Sequence, residues 1–422
     1  MAEVNEELTR RYEEEYSESA QERKAEAERE WQRKAEILGD LTPLTERTEA
    51  FNNLVTGEGY KEKVPTGLTG IDLALNGGLS PRLYLVSADT GKGKSTLVWN
   101  IAQNIARQTA RDRAEYDRLP PEERARTKPP KARSVLYFLM EMTAEELFAR
   151  AISRRMLERN ADRGSAAITP LTEDQILYQY QNSEEVSPEQ QAVFTIEEAK
   201  FLQEEAPYLF VIEGRKTVED IADYIQTFCD EFQKLHPDRP TEAPPVVIVD
   251  YLQILAPTMQ NGRPLYREPR LQVDHNTGKF VEIKTRYGTP IILISSVTKQ
   301  GQGSLEIDIT DLKESGTISF DVDVVMTLNP AINEDLQAKL KNARSQDDRT
   351  EIKKEIKQRQ RTDYPRKMTL LFEKNRGGIP GTEAKLVYYS AHNAFYDDPE
   401  APEKTQRRYT GKDIIPPPNA PF

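Results

Sequence analysis

The stretch LYLVSADTGKGKST, residues 83–96, decides the fold. Its first six residues form a near-continuous apolar run, which predicts a strand buried on both faces. The segment ADTGKGKS, 88–95, follows, and a helix is predicted over 95–107. Against the pattern G-x-x-x-x-G-K-[ST], only the first glycine differs, being Ala88. A loop of this kind turns successive backbone N–H groups onto phosphate oxygens at a helix N-terminus. Gly91 and Gly93 permit the tight curvature. The candidate phosphate-contacting residues are therefore Ala88, Asp89, Thr90, Gly91, Lys92, Gly93, Lys94, Ser95 and Thr96. Lys94 is placed to bridge β- and γ-phosphates, and Ser95 to ligate Mg²⁺. A chance glycine-rich turn is the alternative, and the strand before and helix after weigh against it.

A phosphate loop needs an acidic partner for its metal. Asp250 closes the apolar run VVIVD and fits that place, through water, although a strand-end aspartate alone is ordinary. Glu141 ends the run VLYFLM and is a candidate to activate water, or else a carboxylate at the start of helix 143–156.

Further apolar, β-branched runs lie at 135–140, 209–214, 246–251, 291–296, 323–328 and 368–375, with helical segments between them, one being 217–235. The alternation predicts an α/β fold with one main, mostly parallel sheet flanked by helices. Two segments interrupt it. Residues 111–133, with Pro120-Pro121 and Pro129-Pro130, read as a surface loop or short helix, and 333–361 as a charged helical insertion. Before the core, 1–42 forms an N-terminal helical arm, in which 3–38 reads as one charged helix. That helix is either a solvated or partly disordered arm, or one that docks on a partner. Thr42-Pro43 opens a second helix, about 43–55, carrying Leu44, Phe51 and Leu54, and 43–65 reads as linker. The tail 396–422 is Pro-rich and reads as extended.

At 422 residues, with ~100–200 per domain, two to four domains are allowed. One cysteine, Cys229, excludes an internal disulfide and fits a reducing compartment, and three scattered histidines build no zinc site. No apolar run is long enough to span a membrane, so a membrane partner is not expected, and the acidic N-terminus does not read as a signal. The net charge of −12 argues at first against nucleic acid, but residues 1–40 hold 13 acidic and 7 basic side chains, half of that excess. Residues 107–133 run the other way, with nine basic and five acidic side chains, as do 331–367, with eleven and seven. Total charge is therefore weak evidence about partners.

Five segments in this order carry a resemblance: TGLTGIDLALNGGL (66–79), FLMEM (138–142), VDYLQIL (249–255), TDLKESGTISFDVDVVM (310–326) and EKNRGG (373–378). Together they resemble the motor domain of DnaB-type replicative helicases, a RecA-like P-loop ATPase, over about 43–395. Alanine at the first loop position is shared with that group. The resemblance implies an ATP- and Mg²⁺-dependent 5′→3′ DNA helicase that works as a homo-hexameric ring on single-stranded DNA, in the cytoplasm of a bacterial, phage or mobile-element context. It implies Lys94 and Ser95 on phosphates and Mg²⁺, Asp250 as the metal's acid and Glu141 as the activator of water. It also implies that Lys374 and Arg376 reach the γ-phosphate held by the neighbouring subunit. DNA contacts are implied from two channel loops, about 256–271 with Arg263, Arg267 and Arg270, and about 298–306 with Lys299. On the residues alone both are simply exposed loops. The loader or primase partner is not identified.

Three departures from the family's pattern stand out. Its strand-end LSQ appears as Ile294-Ser295-Ser296, so Ser296 replaces a glutamine that senses the γ-phosphate and is too short to do so unaided. Only 1–42 precede the linker-helix position, so a compact form without the primase-recruiting collar is expected. The 333–361 insertion is longer than usual. A RecA-fold ATPase that assembles or switches without unwinding is the alternative, and a recombinase a weaker one.

Overall fold

The computed structural model describes residues 21, 24–35, 45, 48–55, 63–161, 168–235, 243–298, 304–311 and 321–401. The expectations for Lys299 and most of its loop, for the middle of the DLKESG segment, for most of the arm and for the end of the tail lie outside these residues. The chain divides into two units, Met1–Glu62 and Lys63–Phe422. In the first, 24–35 is helical with a Lys34–Glu30 ion pair at 2.7 Å, and Trp31 is 70% exposed. A second helix spans Thr48–Val55, and its Phe51 is 62% exposed within the unit.

The second unit is built on a nine-stranded sheet. Its strands are β1 (Leu83–Ala88), β2 (Val135–Leu139), β3 (Leu209–Glu213), β4 (Val246–Asp250), β7 (Ile291–Ser296), β8 (Val324–Pro330), β9 (Arg366–Asn375), β10 (Thr382–Tyr389) and β11 (Ala394–Asp397). A separate two-strand ribbon consists of β5 (Met259–Gln260) and β6 (Arg263–Pro264). The order in the main sheet is β11-β10-β9-β8-β1-β7-β4-β2-β3. The six strands from β8 to β3 are parallel, and β9, β10 and β11 are antiparallel. This is the mostly parallel, helix-flanked RecA-like α/β fold expected from the alternation.

Successive residues of the central strands feed opposite faces, as pleating requires. Tyr84, Val86, Val246, Ile248, Ile292 and Ile294 enter one core, with Trp99, Leu97 and Ile152 of the helices α1 (Lys94–Arg118) and α2 (Ala144–Ala161). Leu83, Leu85, Val247, Val249, Ile291 and Leu293 enter the other, with Ile221 of α3 (Val218–Leu235) and Phe280 of α4 (Pro269–Tyr287). Each fully buried side chain of this size contributes roughly 1.5–3 kcal/mol, so both faces are needed to hold β1 at the centre.

Four expectations are corrected. The strand 209–214 is only half-buried, because among the described residues β3 is the outermost strand on that side of the sheet. Strands β10 and β11 extend the sheet where no strand was expected, and β11 absorbs Tyr396 and Asp397 of the predicted tail. The helix after the phosphate loop runs to Arg118, well past 107, because no Gly or Pro interrupts it before Pro120 and Gln108–Asp112 and Arg113–Asp117 contacts support its last turns. Only the short helix Pro121–Arg124 and a loop remain of the segment read as 111–133. The 333–361 insertion is a helix pair, α5 (Glu334–Asn342) and α6 (Gln346–Thr362). Among the described residues no helix is long and apolar enough to cross a membrane.

Candidate nucleotide site

The chain leaves β1 at Ala88 and enters α1 at Lys94, so Asp89–Gly93 must turn within five residues. Gly91 (φ 73°) and Gly93 (φ 88°) take left-handed backbone conformations that side-chain-bearing residues seldom adopt. Gly93 is constrained twice. A Cβ there would stand 3.0 Å from Phe395 Cε2 and Cζ and from Tyr388 Cε1. Those two rings stack at 4.2 Å, 4° from parallel, and form the wall behind the loop. The first turn of α1 holds Lys94, Ser95 and buried Thr96, with its unpaired N–H groups and positive dipole end at the loop.

The strand order β1-β7-β4-β2 brings the other candidate groups to the same edge. Asp250, 4% exposed, accepts hydrogen bonds from Ser95 Oγ (3.2 Å, to Oδ1) and Tyr137 Oη (2.9 Å, to Oδ2). Burial pushes the Asp250 carboxyl above the usual aspartate range, with the Glu141 charge adding to it, against the pull of Tyr137, Ser95 and Lys94. Burial lowers Lys94 from its usual range, and Asp250, Glu141 and Asp89 oppose that shift. Glu141 is exposed past the end of β2, and the Tyr251 hydroxyl hydrogen-bonds to it. Lys94, Ser95, Asp250 and Glu141 thus converge, a cation between three carboxylates when Asp89 is included. Ser95 Oγ and Asp250 Oδ1 are both hard oxygen donors and already adjacent. They fit Mg²⁺, which typically takes one or two protein oxygens and completes its shell with phosphate and water. Among the described residues no group of three or more His, Cys, Asp or Glu could hold a metal by itself.

Lys374 and Arg376 lie elsewhere. Asn375 pairs with Val324, and Val324 with Tyr84, so Arg376 sits near the start of β1. Four residues at ~3.3 Å put ~13 Å of strand between that level and Ala88. Arg376 Nη1 contacts Asp323 Oδ1 at 2.8 Å, and Lys284 pairs with the same carboxylate. Asp323 Oδ2 also accepts from Leu83 N at 3.0 Å. Arg263 belongs to the β5–β6 ribbon, whose turn is Asn261-Gly262, both at positive φ. Arg263, Arg267 and Arg270 are exposed. The ribbon is anchored by Leu265 N to Thr258 O (2.8 Å) and by Thr258 Oγ1 to Glu219 (2.7 Å), which His275 also meets at 2.9 Å.

Sequence reasoning overlooked Tyr137, Tyr251, Gln253 and Asp323. Gln253 Nε2 donates to Ser295 Oγ at 2.7 Å, and Ser296 N donates to Gln253 Oε1 at 3.3 Å. A glutamine from the segment after β4 therefore occupies the end of β7, next to the serine that stands where a glutamine was expected. The Asn-Gly dipeptide was the available signal for the ribbon. The others depend on strand order and had none.

With this geometry in place, the comparison with known families is decisive. The family described as DnaB-like helicase C terminal domain matches residues 63–397. The chain belongs to this family. No curated protein matches the sequence. Among solved structures, the helicase domain is similar to one described as an ATPase domain, with a TM-score of 0.55, 15% identity, and coverage of 85% of this chain and 99% of that one. It is also similar to a DnaB-like replicative helicase described with its interactions with primase, with a TM-score of 0.55, 15% identity, and coverage of 84% of this chain and 66% of that one. This chain therefore spans just under two thirds of the second protein. At such identity the likeness is one of fold.

Proposed function

We propose that this member of the DnaB-like helicase family is an ATP-driven motor that moves 5′→3′ on single-stranded DNA as a homo-hexameric ring and unwinds duplex DNA during replication. It works in the cytoplasm, in a bacterial, phage or mobile-element context. The single observation that carries the reading is the division of the site between two edges of one sheet. Lys94, Ser95, Asp250 and Glu141 gather at one edge, and Arg376 is held by Asp323 at the other. One subunit cannot bring both to one nucleotide, and two neighbours in a closed ring can.

The chemistry follows from the placement. Loop N–H groups and Lys94 hold the β- and γ-phosphates of ATP. Ser95 and Asp250 would hold Mg²⁺, which would supply charge neutralisation on the phosphate oxygens. Glu141 orients and deprotonates the attacking water, aided by the Tyr251 hydroxyl that fixes its carboxylate. As the bond from the γ-phosphorus to the bridging oxygen breaks, Lys374 and Arg376 of the neighbouring subunit meet the charge that develops, so hydrolysis requires assembly. Arg263, Arg267 and Arg270, with Lys299, track one strand's phosphates without reading bases. Phe51 and Leu54 pack on the adjacent subunit. Deleting 1–42 leaves the ring intact and deleting through residue 56 breaks it, and monodisperse hexamers from the longer deletion would defeat that assignment.

The test is unwinding of forked duplexes that differ in the polarity of the loading strand, with Lys94→Ala as the inactive control. Unwinding restricted to a 5′ tail supports the reading. DNA-stimulated ATPase with no unwinding at any fork geometry favours an assembling or switching ATPase, the reading that Ser296, with its short side chain at the sensor position, favours.

A further inference from the structure

The 333–361 insertion leaves and rejoins the sheet at the edge that carries the phosphate loop. Strand β8 lies beside β1 with Thr327 level with Ser87, and it continues to Pro330, past the level of Ala88. The chain returns through α6 into β9 at Arg366. The helix pair is a built element. Asn333 caps α5 and Ser345 caps α6, each by accepting a backbone N–H, and Leu336 and Ile356 are buried. Gln360 Nε2 donates to Pro330 O at 3.4 Å, which ties the end of α6 to the end of β8.

Arg366, the first residue of β9, pairs with Tyr388 of β10, whose ring would stand 3.0 Å from a Cβ on Gly93, so the return of the insertion lies beside the phosphate loop of the same subunit. Burial holds Lys92 of the phosphate loop below its usual range, and the nearby Arg366 and Arg361 charges add to that shift, opposed by Asp89. Neither arginine has a carboxylate partner among the described residues, and Arg366 Nε is buried with no hydrogen-bond partner. Lys354, Lys357 and Arg361 share one face of α6, at helical spacings of three and four, and with Gln358 and Thr362 they border an open groove along that helix's own surface. Like charges gathered beside a phosphate loop are mutually unfavourable until an anion sits among them.

We propose that Lys92, Arg361 and Arg366 form an anion subsite for the polyphosphate of the bound nucleoside triphosphate, with the insertion as its second wall. The proposal rests on the nucleotide reading above and adds to it a set of cations acting in the same subunit, distinct from Arg376 of the neighbour.

The experiment is a fluorescence titration of the full chain with N-methylanthraniloyl-ATP, -ADP and -AMP in the presence of Mg²⁺. Arg361 is exposed in the last turn of α6, so Arg361→Ala spares the core. It is expected to weaken triphosphate binding about tenfold, the monophosphate much less, and Arg361→Lys is expected to restore most of the loss. Arg361→Ala with Arg366→Ala weakens it further. Unchanged triphosphate affinity in the double variant, while Lys94→Ala abolishes binding, overturns the subsite and leaves the nucleotide reading standing. A wild-type chain that binds none of the three overturns the nucleotide reading and the subsite with it. Loss of poly-dT affinity at constant nucleotide affinity also overturns the proposal and makes α6 a nucleic-acid contact.

Discussion

Arg376 Nη1 meets Asp323 Oδ1 at 2.8 Å, at the sheet edge opposite the one that carries Lys94. The contact follows from the reversal of β9, which runs antiparallel to β8 and carries its last residues back to the start of β1. The guanidinium is still 58% exposed, so it is held without being enclosed. Arg376→Ala is expected to lower kcat by roughly 10³–10⁵, the range for an arginine supplied to a phosphoryl-transfer site. In mixtures with wild type, ATPase activity falls more steeply than the wild-type fraction. A linear dose response would count against supply in trans.

Glu141 faces the same cluster from beyond the end of β2, exposed and hydrogen-bonded by Tyr251. Glu141→Gln keeps the shape and removes the base. Turnover is expected to fall roughly 10²–10⁴-fold while nucleotide affinity is retained. Equilibrium binding and single-turnover hydrolysis, measured side by side, check this. A parallel loss of affinity would place Glu141 in binding instead of water activation.

Gln253 connects the end of β4 with the end of β7, the two strands that precede the candidate DNA loops. Losing a partly buried amide contact costs ~1 kcal/mol, which corresponds to about fivefold in a rate. Gln253→Ala is therefore expected to reduce the DNA-stimulated ATPase rate about fivefold and the DNA-free rate less. Equal losses in both would show that the glutamine serves only packing.

The phosphate loop and Asp250 were legible because their signals are local: an apolar run, two glycines and a terminal acid within a few residues. Their convergence with Tyr137 was not, because it depends on β2 and β4 being neighbours while β7 separates β4 from β1. The strands buried on both faces were legible for the same reason. Strand β10, TEAKLVYY, opens on four residues of mixed polarity and its apolar run LVYY is only four residues long, and β11 has only four residues. The reach of α1 beyond residue 107 was missed because its later turns are charged, although nothing in them stops a helix. Asp323 looked like any acidic residue before an apolar strand. Only the pairing of β8 with both β1 and β9, and the packing of α4 against the sheet, give it Leu83 N, Arg376 and Lys284 as partners.

Asp323 also predicts an acid response. Burial alone would raise its carboxyl, but the Leu83 N–H, Lys284 and Arg376 outweigh burial and hold it below the usual aspartate range. The unfolded value is ~3.9, so the folded value lies beneath it. The stabilisation is complete above the unfolded value and fades as pH falls through the folded one. Asp323→Asn is thus expected to lower the urea midpoint at pH 7 and to converge with wild type as the pH falls below the unfolded value of ~3.9 and on through the folded one. A difference that stays constant with pH would assign the loss to packing.

The ring stack behind Gly93 has a consequence for the order in which the molecule is made. Phe395 lies in the last strand, and Asn100 Oδ1 accepts from its backbone N–H at 2.7 Å, so the helix that follows the phosphate loop is tied to a residue 295 positions later. A chain still on the ribosome can form β1 and its loop, but it has no wall against which to set the turn. The turn is therefore completed only as the domain's last strand emerges, and nascent or C-terminally truncated chains ending before residue 394 are born without a finished phosphate cradle.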